Sequence, residues 1–158
     1  MKVKSGIKIR SVLPENLEQV IELCKLHSEY EGQAYDRQGK LENLSSALFK
    51  VEPALWCFVA DDCGVIQGYT TATKEFSTWD ASYYLHMDCL FLLESTRGLG
   101  LGSLFITALT ELAITESCNQ IQWQTPVDNF GAIKFYTKCG ATNKRKQRFF
   151  LDVSEMEK

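Results

Sequence analysis

The stretch LFLLESTRGLGLGS, residues 90–103, joins an apolar run, a short turn with three glycines and the start of an amphipathic segment. This order predicts a buried strand, a tight turn and a helix, because glycine adopts turn conformations that other residues disfavour. The first N–H groups of a helix lack partners inside it, and the helix dipole adds partial positive charge there. The stretch therefore predicts a cradle for an anion such as a phosphate.

The glycine spacing excludes two common nucleotide-binding motifs. Gly98, Gly100 and Gly102 alternate with leucine, whereas the dinucleotide fingerprint places two residues before its last glycine. The Walker A motif ends in Gly-Lys followed by Ser or Thr, which this turn does not contain. A tight turn that only starts a helix remains the structural alternative.

The rest of the chain predicts an alternation of strands and helices typical of an α/β protein. The predicted strands are residues 7–12, 56–60, 65–73, 83–93, 121–124 and 147–153, with 61–64 as a hairpin turn. Helices are predicted from Pro14 to near Gly32, over 41–48, over 100–117 and over 129–138, closed by Gly140. The run 83–93 is too apolar for a half-exposed strand, so we expect it in the middle of the sheet.

Composition predicts a single soluble domain over residues 1–158. No apolar run approaches the ~20 residues of a membrane span, and no secretory signal begins the sequence, so a cytosolic location is expected. A net charge of −3 argues against nucleic acid and favours a cationic partner. None of the six cysteines forms a C-x-x-C pair and only two histidines are present, so we expect no metal site.

The chain resembles the GNAT acetyltransferase superfamily, whose pyrophosphate motif is Arg/Gln-x-x-Gly-x-Gly/Ala at the start of a helix. Arg97, Gly100 and Gly102 match this motif. The resemblance is strongest to the diamine (spermidine/spermine) acetyltransferase branch. It extends to the Tyr-Glu pair at the end of the first helix, to Gly68-Tyr69, and to the segment from Asn129 to Ala141.

The resemblance implies a mixed, mostly antiparallel sheet of six or seven strands, splayed where acetyl-CoA inserts, with helices on both faces. It also implies acetyl-CoA as co-substrate. Leu90 and Leu92, around Phe91, would bond the acetyl and pantetheine amides through their backbones, and a backbone N–H near Leu90 would stabilise the oxyanion. Asn129 would bond the pantetheine arm, and the pyrophosphate would lie on the turn residues Arg97, Gly98, Leu99, Gly100, Leu101, Gly102 and Ser103.

Two residues are implied in proton transfer. Tyr136 matches the tyrosine that protonates the leaving thiolate, with a core aromatic as its alternative. Asp88 stands where the family's central strand has a glutamate base, and Cys89 replaces the neighbouring acid. An aspartate inside an apolar strand is costly to bury without a partner, which favours a site role over a structural one. His86, two residues earlier on the same face, is a weaker candidate for proton work.

The acceptor is expected to be a primary amine of a small, cationic molecule. Tyr30 and Glu31, with Glu29 and Asp36 nearby, are substrate candidates, although a solvated helix end explains them equally well. Trp79 and Asp80 could add a wall and a charge to the same mouth. Transfer would be direct, in a ternary complex, since no cysteine has a histidine partner. The alternatives are an aminoglycoside, a protein lysine or N-terminus, or a non-catalytic acyl-CoA-binding module, and a homodimer is expected.

Overall fold

The computed structural model describes residues 6–154, and it divides into two compact units that meet in sequence between Gln124 and Thr125. The first unit is built on a five-stranded sheet in the order β1-β2-β3-β4-β5. Its strands are β1 (Lys8–Ser11), β2 (Trp56–Asp62), β3 (Val65–Ser77), β4 (Ser82–Leu92) and β5 (Ile121–Gln122). Its helices are α1 (Leu17–Tyr30), α2 (Lys40–Leu48) and α3 (Leu101–Thr115).

The sheet is antiparallel except at one edge. β1 to β4 pair with their neighbours in antiparallel order, while β5 pairs in parallel with β4 through only two residues, Leu85 and His86. The mixed α/β class with helices on both faces is thus confirmed, although the strands among the described residues number five rather than six or seven.

Opposite faces of the sheet carry different helices. Val59, Tyr69 and Phe91 pack in one buried cluster with Val20 and Ile21 of α1. Alternate positions of the same strands, Ala60 and the half-buried Leu90 and Leu92, pack instead with Leu101 and Phe105 of α3. Because side chains alternate along a strand, α1 and α3 cover opposite faces.

The second unit begins at Thr125 and contains the helix α4 (Phe130–Lys138). The strand predicted over residues 147–153 does not form, and this prediction was wrong. Phe149, Phe150 and Leu151 are 86%, 81% and 74% exposed. The apolar residues of 147–153 favour an extended chain, but a strand also needs a neighbouring strand to bond, and the described part of this unit contains none.

None of the helices among the described residues combines the length and apolar character needed to cross a bilayer.

Candidate active site

The turn after β4 has the backbone form that its glycines predict. Gly98 and Gly100 have φ of +77° and +86°, in the left-handed region that favours glycine. Helix α3 begins directly after Gly100, and buried Leu101 and Phe105 fix its start against the sheet. The predicted strand, turn and helix are therefore present in the predicted order.

The start of α3 suits an anion better than the starts of α1 and α2 do. Its capping residue is Gly100, and, as at the starts of α1 and α2, no side chain among the described residues caps it, so its first N–H groups have no side-chain acceptor. The first turns of α1 and α2 contain Glu18 and Glu42, whereas the first turn of α3 contains no acidic residue. Turn and helix start together form what we call the cradle, residues 97–103.

Beyond His86, β4 has an open edge, since no second strand of the described first unit pairs with it there. The N–H of Leu93 donates to the Gln67 carbonyl on the β3 side. Backbone groups alternate in direction along an antiparallel pair, so the N–H and C=O of Leu90 and Leu92 point towards the open edge. This orientation is the one that backbone contacts to a pantetheine chain require.

Asp88 lies in a β-bulge. Cys89 pairs with Thr71 and Met87 with Ala72, so Asp88 is an extra residue between two regular stretches of the β3–β4 ladder. Its side chain is exposed, not buried as the sequence argument assumed, because the bulge releases it from the inside–outside alternation. The Cys89 thiol donates to Asp88 Oδ2 at 3.7 Å.

Behind the bulge, a hydrogen-bonded group lies between the sheet and α1. The buried Tyr69 hydroxyl lies 3.0 Å from His27 Nδ1, and the Cys24 and Cys89 thiols lie close enough to affect its pKa. His27 Nε2 lies 3.3 Å from Glu31 Oε1, and the His27 ring stacks on Phe91 with centroids 5.1 Å apart. Sequence reasoning did not assign Tyr69 or His27 a role; His27 fits the apolar period of α1, which conceals its polar contacts.

Burial raises the pKa values of the thiols in this group. Burial, and then the neighbouring Asp88 carboxylate, raise the pKa of the Cys89 thiol to about 12. Burial likewise raises the pKa of Cys24 and Tyr69 above their ordinary values. A thiol that stays protonated at neutral pH is a poor nucleophile, so Cys89 is not suited to carry an acyl group despite its place beside Asp88.

Arg97 turns away from the helix start. Its Nε donates to the Leu92 carbonyl at 3.1 Å, and its guanidinium carbon lies 4.8 Å from the centroid of the Tyr30 ring and 5.8 Å from that of Phe91. The last residue of α1 is thereby joined to the cradle, which brings Tyr30 and Glu31 to the cradle end of β4.

The structure separates the remaining acceptor candidates from this end. Trp79, 99% exposed, and Asp80 lie in the turn between β3 and β4, and Asp80 accepts a bond from Ser77 Oγ. At ~3.3 Å per residue, the distance from the start of β4 to Asp88 is about 20 Å. Within one chain, Trp79 and Asp80 therefore do not share a mouth with Glu31. The Asp36 carboxylate accepts the Gln38 N–H. Its neighbour Arg37 binds Glu18 and Glu22, which lie on α1 more than two helical turns before Glu31.

His86 is half-buried and pairs with Thr73, on the stretch of β4 before the bulge. Its register with Thr73 places it on the α1 face, where Cys89 and Phe91 lie after the bulge.

In the second unit, α4 carries the other two candidates. Asn129 caps the helix, since its Oδ1 accepts the Ala132 N–H at 3.2 Å, so a bond to pantetheine would use its amide nitrogen. Tyr136 is half-buried, and its ring lies 5.2 Å from that of Phe135. Among the described residues, no set of three or more His, Cys, Asp or Glu side chains is arranged to hold a metal ion.

A human relative, spermidine/spermine N(1)-acetyltransferase-like protein 1 of Homo sapiens, is 23% identical over 100 residues, which are 59% of this chain. The match spans only 14% of that protein's length.

Solved structures share the fold over nearly the whole chain. An aminoglycoside N-acetyltransferase, AAC(6')-Iy in complex with CoA, superposes with a TM-score of 0.80 at 20% identity, covering 93% of this chain and 95% of that one. An integron cassette protein of V. cholerae has a TM-score of 0.74 at 24% identity, covering 97% and 98%. The model of the acetyltransferase (GNAT) family matches residues 20–141, and the chain belongs to that family.

Proposed function

We propose that the protein is an acetyl-CoA-dependent N-acetyltransferase that acts on a primary amine of a small cationic molecule. The observation that carries the proposal is the continuity of one strand. The open edge of β4 leads from the bulged Asp88, past the outward-facing backbone of Leu90 and Leu92, into the cradle. Acetyl-CoA is an extended molecule with a thioester at one end and phosphates at the other, and it matches that order.

The residues of the first unit fit the parts of acetyl-CoA in turn. The pyrophosphate would accept bonds from the N–H groups at the start of α3, with no carboxylate in the first turn to repel it. The pantetheine amides would bond the strand edge as an added strand does. A backbone N–H near Leu90 would bond the oxyanion that develops during attack.

Transfer in this proposal is direct. The acceptor ammonium loses a proton to Asp88 through water, and the free amine attacks the thioester carbonyl carbon. The C–N bond forms, the C–S bond breaks, and the departing sulfur takes a proton from the Tyr136 hydroxyl. The nitrogen then gives up its second proton, which restores the Tyr136 hydroxyl and leaves the neutral amide. Acetyl-CoA supplies the activated acetyl group. A covalent route through Cys89 is disfavoured, because its raised pKa leaves very little thiolate.

The acceptor class is proposed from charge and from the names of the compared proteins. Glu29 and Glu31 lie at the end of α1 that Arg97 joins to the cradle, and acidic side chains attract polycations. The human relative is named for spermidine and spermine, whereas the compared CoA complex is an aminoglycoside acetyltransferase. Polyamines are our first candidates and aminoglycosides our second. We also predict a homodimer and a cytosolic location. Light scattering would check the homodimer by measuring the molar mass in solution.

CoA binding tests the central proposal. Calorimetry should show a dissociation constant from low micromolar to sub-millimolar, and CoA should raise the melting temperature. Gly102→Val should abolish that rise, because a branched side chain at the second position of α3 obstructs approach of the phosphate. Leu41→Val, at the second position of α2, is the matched control and should keep it. Wild-type protein without CoA binding would contradict the proposal.

An acceptor screen tests the substrate class. Spermidine, an aminoglycoside and a lysine peptide are compared by release of the CoA thiol. A polycation should give the highest kcat/KM, and added salt should raise its KM by screening the attraction. A peptide or neutral amine that outperforms both polycations would redirect the assignment to a protein or neutral acceptor.

A further inference from the structure

Four side chains join the cradle to the end of α1, and we call them the clasp: Arg97, Tyr30, Phe91 and His27. Arg97 belongs to the cradle, Phe91 to β4, and Tyr30 and His27 to the last two turns of α1. The contacts are continuous, since Arg97 lies over Tyr30 and Phe91, Tyr30 lies 6.4 Å from Phe91, and His27 stacks on Phe91.

From these contacts we propose that Arg97 is a positioning residue that couples occupancy of the cradle to the order of the end of α1. The inference rests on the proposed function, because it takes CoA as the ligand of the cradle. It differs from the role that the motif suggests for this arginine, which is direct contact with the pyrophosphate.

The contacts of Arg97 indicate that the shape of its guanidinium, and not only its charge, couples the cradle to the end of α1. Its Nε is bonded to the Leu92 carbonyl, and its planar guanidinium lies within cation–π range of two rings. Only two residues separate Arg97 from Gly100, the cap of α3, so a phosphate that fixes the turn also fixes the base of the Arg97 side chain. Lysine would keep the charge but has neither the plane nor the forked donors.

The other end of the clasp reaches the acceptor candidates. Phe91 is buried and holds the His27 ring, and His27 contacts Glu31. The end of α1 is closed by the N–H groups of Glu31, Gly32 and Gln33, which donate to carbonyls of residues 27–29. These three amides therefore report whether the end of α1 opens.

Coupling between two sites is reciprocal in free energy, and typical values correspond to about 5- to 150-fold changes in affinity. A cradle that orders the end of α1 lowers the entropic cost of holding an amine there. Reciprocally, a bound amine would tighten the binding of CoA.

The test is amide hydrogen exchange on the full chain, with CoA as the probe and no acceptor present. In the wild type, CoA should slow exchange over residues 98–104 and, by about 5-fold or more, at Glu31, Gly32 and Gln33. In Arg97→Lys at saturating CoA, protection of 98–104 should remain while protection of 31–33 is lost. Arg37→Lys, which alters contacts with the first half of α1, is the matched control and should retain both effects.

A second variant covers the case in which Arg97→Lys fails to bind CoA. Tyr30→Leu keeps Arg97 and removes the ring that its guanidinium covers, so loss of protection at 31–33 with CoA bound would support the coupling. Retained protection of 31–33 in that variant would overturn it. Wild-type protein in which CoA protects 98–104 alone would overturn the inference and leave the proposed function standing. Protein that binds no CoA would overturn the proposed function instead.

Discussion

The two units hold their candidate residues in different ways. In the first unit, Leu90 and Leu92 are fixed by pairing with Thr70 and Gly68 on β3, and the groups expected to bind acetyl-CoA belong to the backbone. In the second unit, Tyr136 lies on a nine-residue helix with no buried residue, and its expected role depends on one hydroxyl. Binding should therefore depend on backbone geometry in the first unit, and turnover on a single atom in the second.

The largest expected effect comes from Tyr136→Phe. Loss of the hydroxyl removes the proposed proton donor but keeps the ring, so kcat should fall by roughly 10²–10⁴. CoA affinity by calorimetry and the melting temperature should stay near wild type. Tyr83→Phe, in the β3–β4 hairpin of the first unit, is a control for loss of a tyrosine hydroxyl. An unaltered rate in Tyr136→Phe would remove that residue from the mechanism.

Asp88→Asn tests the residue of the first unit that accepts a proton in the proposed mechanism. Because the side chain is exposed at a bulge, the variant should fold normally. Without the base, kcat/KM at neutral pH should fall by roughly 10²-fold and recover partly as rising pH deprotonates the amine unaided. The measurement is the pH profile of kcat/KM together with the melting temperature.

A structural Asp88 would give another pattern. The variant would lose thermal stability, and its pH profile would keep the wild-type shape, scaled down at every pH. Asp62→Asn, at the end of β2, controls for removal of a carboxylate elsewhere in the first unit.

Two glycines sharpen the contrast in stability. At Gly68 an added Cβ would lie 2.6 Å from the Phe91 carbonyl oxygen, a contact that backbone cannot relieve cheaply, so Gly68→Ala should destabilise by about 2 kcal/mol. At Gly131 of α4 an added Cβ meets no atom within 4 Å. Gly131→Ala should therefore stabilise by about 0.5–1 kcal/mol through the unfolded chain. Urea titration measures both, and equal effects would contradict the contrast.

The smallest effect concerns two aspartates. In the first unit, Asp61 accepts bonds from the Gly64 N–H and from Arg10, and these contacts lower its pKa. The stability that Asp61 contributes to the fold is therefore fully present above its ordinary pKa near 4. It is lost as pH falls through the lowered pKa of the folded state. Asp61→Asn should cost less than about 1 kcal/mol at pH 7 and flatten the decline in acid.

Asp152 of the second unit provides the counterpart. Its pKa is also lowered, by bonds from Ser154 two residues away in an exposed segment. Such a local contact does not join distant parts of the chain, so Asp152→Asn should leave the urea midpoint unchanged at pH 7. A decline in acid that Asp61→Asn leaves as steep as in the wild type would contradict the assignment to Asp61.

Sequence predicts the parts of this molecule that depend on local patterns. The apolar periods of α1, α2 and α3 and the glycines of the cradle give helices and a turn within a few residues of the expected bounds. The strand predicted over residues 147–153 is absent because a strand depends on more than a local pattern. The aromatic and aliphatic residues over 147–153 are a local pattern, but a strand depends on two segments, and this pattern does not supply the neighbour.

The environment of Asp88 was also beyond local prediction. An apolar run indicates a buried strand but does not mark the position of an extra residue, so a carboxylate expected inside the strand lies outside. Similarly, Trp79 and Asp80 precede the site closely in sequence, yet an extended strand carries them about 20 Å from it. The contacts of His27 and Tyr69 depend on the packing of α1 across β3, which one sequence does not reveal.

The bulge at residue 88 has a consequence for how such an enzyme can diversify. Residues on either side of it fill the core and are held to their sizes by close packing, whereas the extra residue fills no part of the core. Under the proposed mechanism, a change there would alter the acid presented to the acceptor amine with little cost in stability. With Asp88 as the proposed base, an inserted reactive position would let the chemistry vary while the strand proposed to bind acetyl-CoA stays as it is.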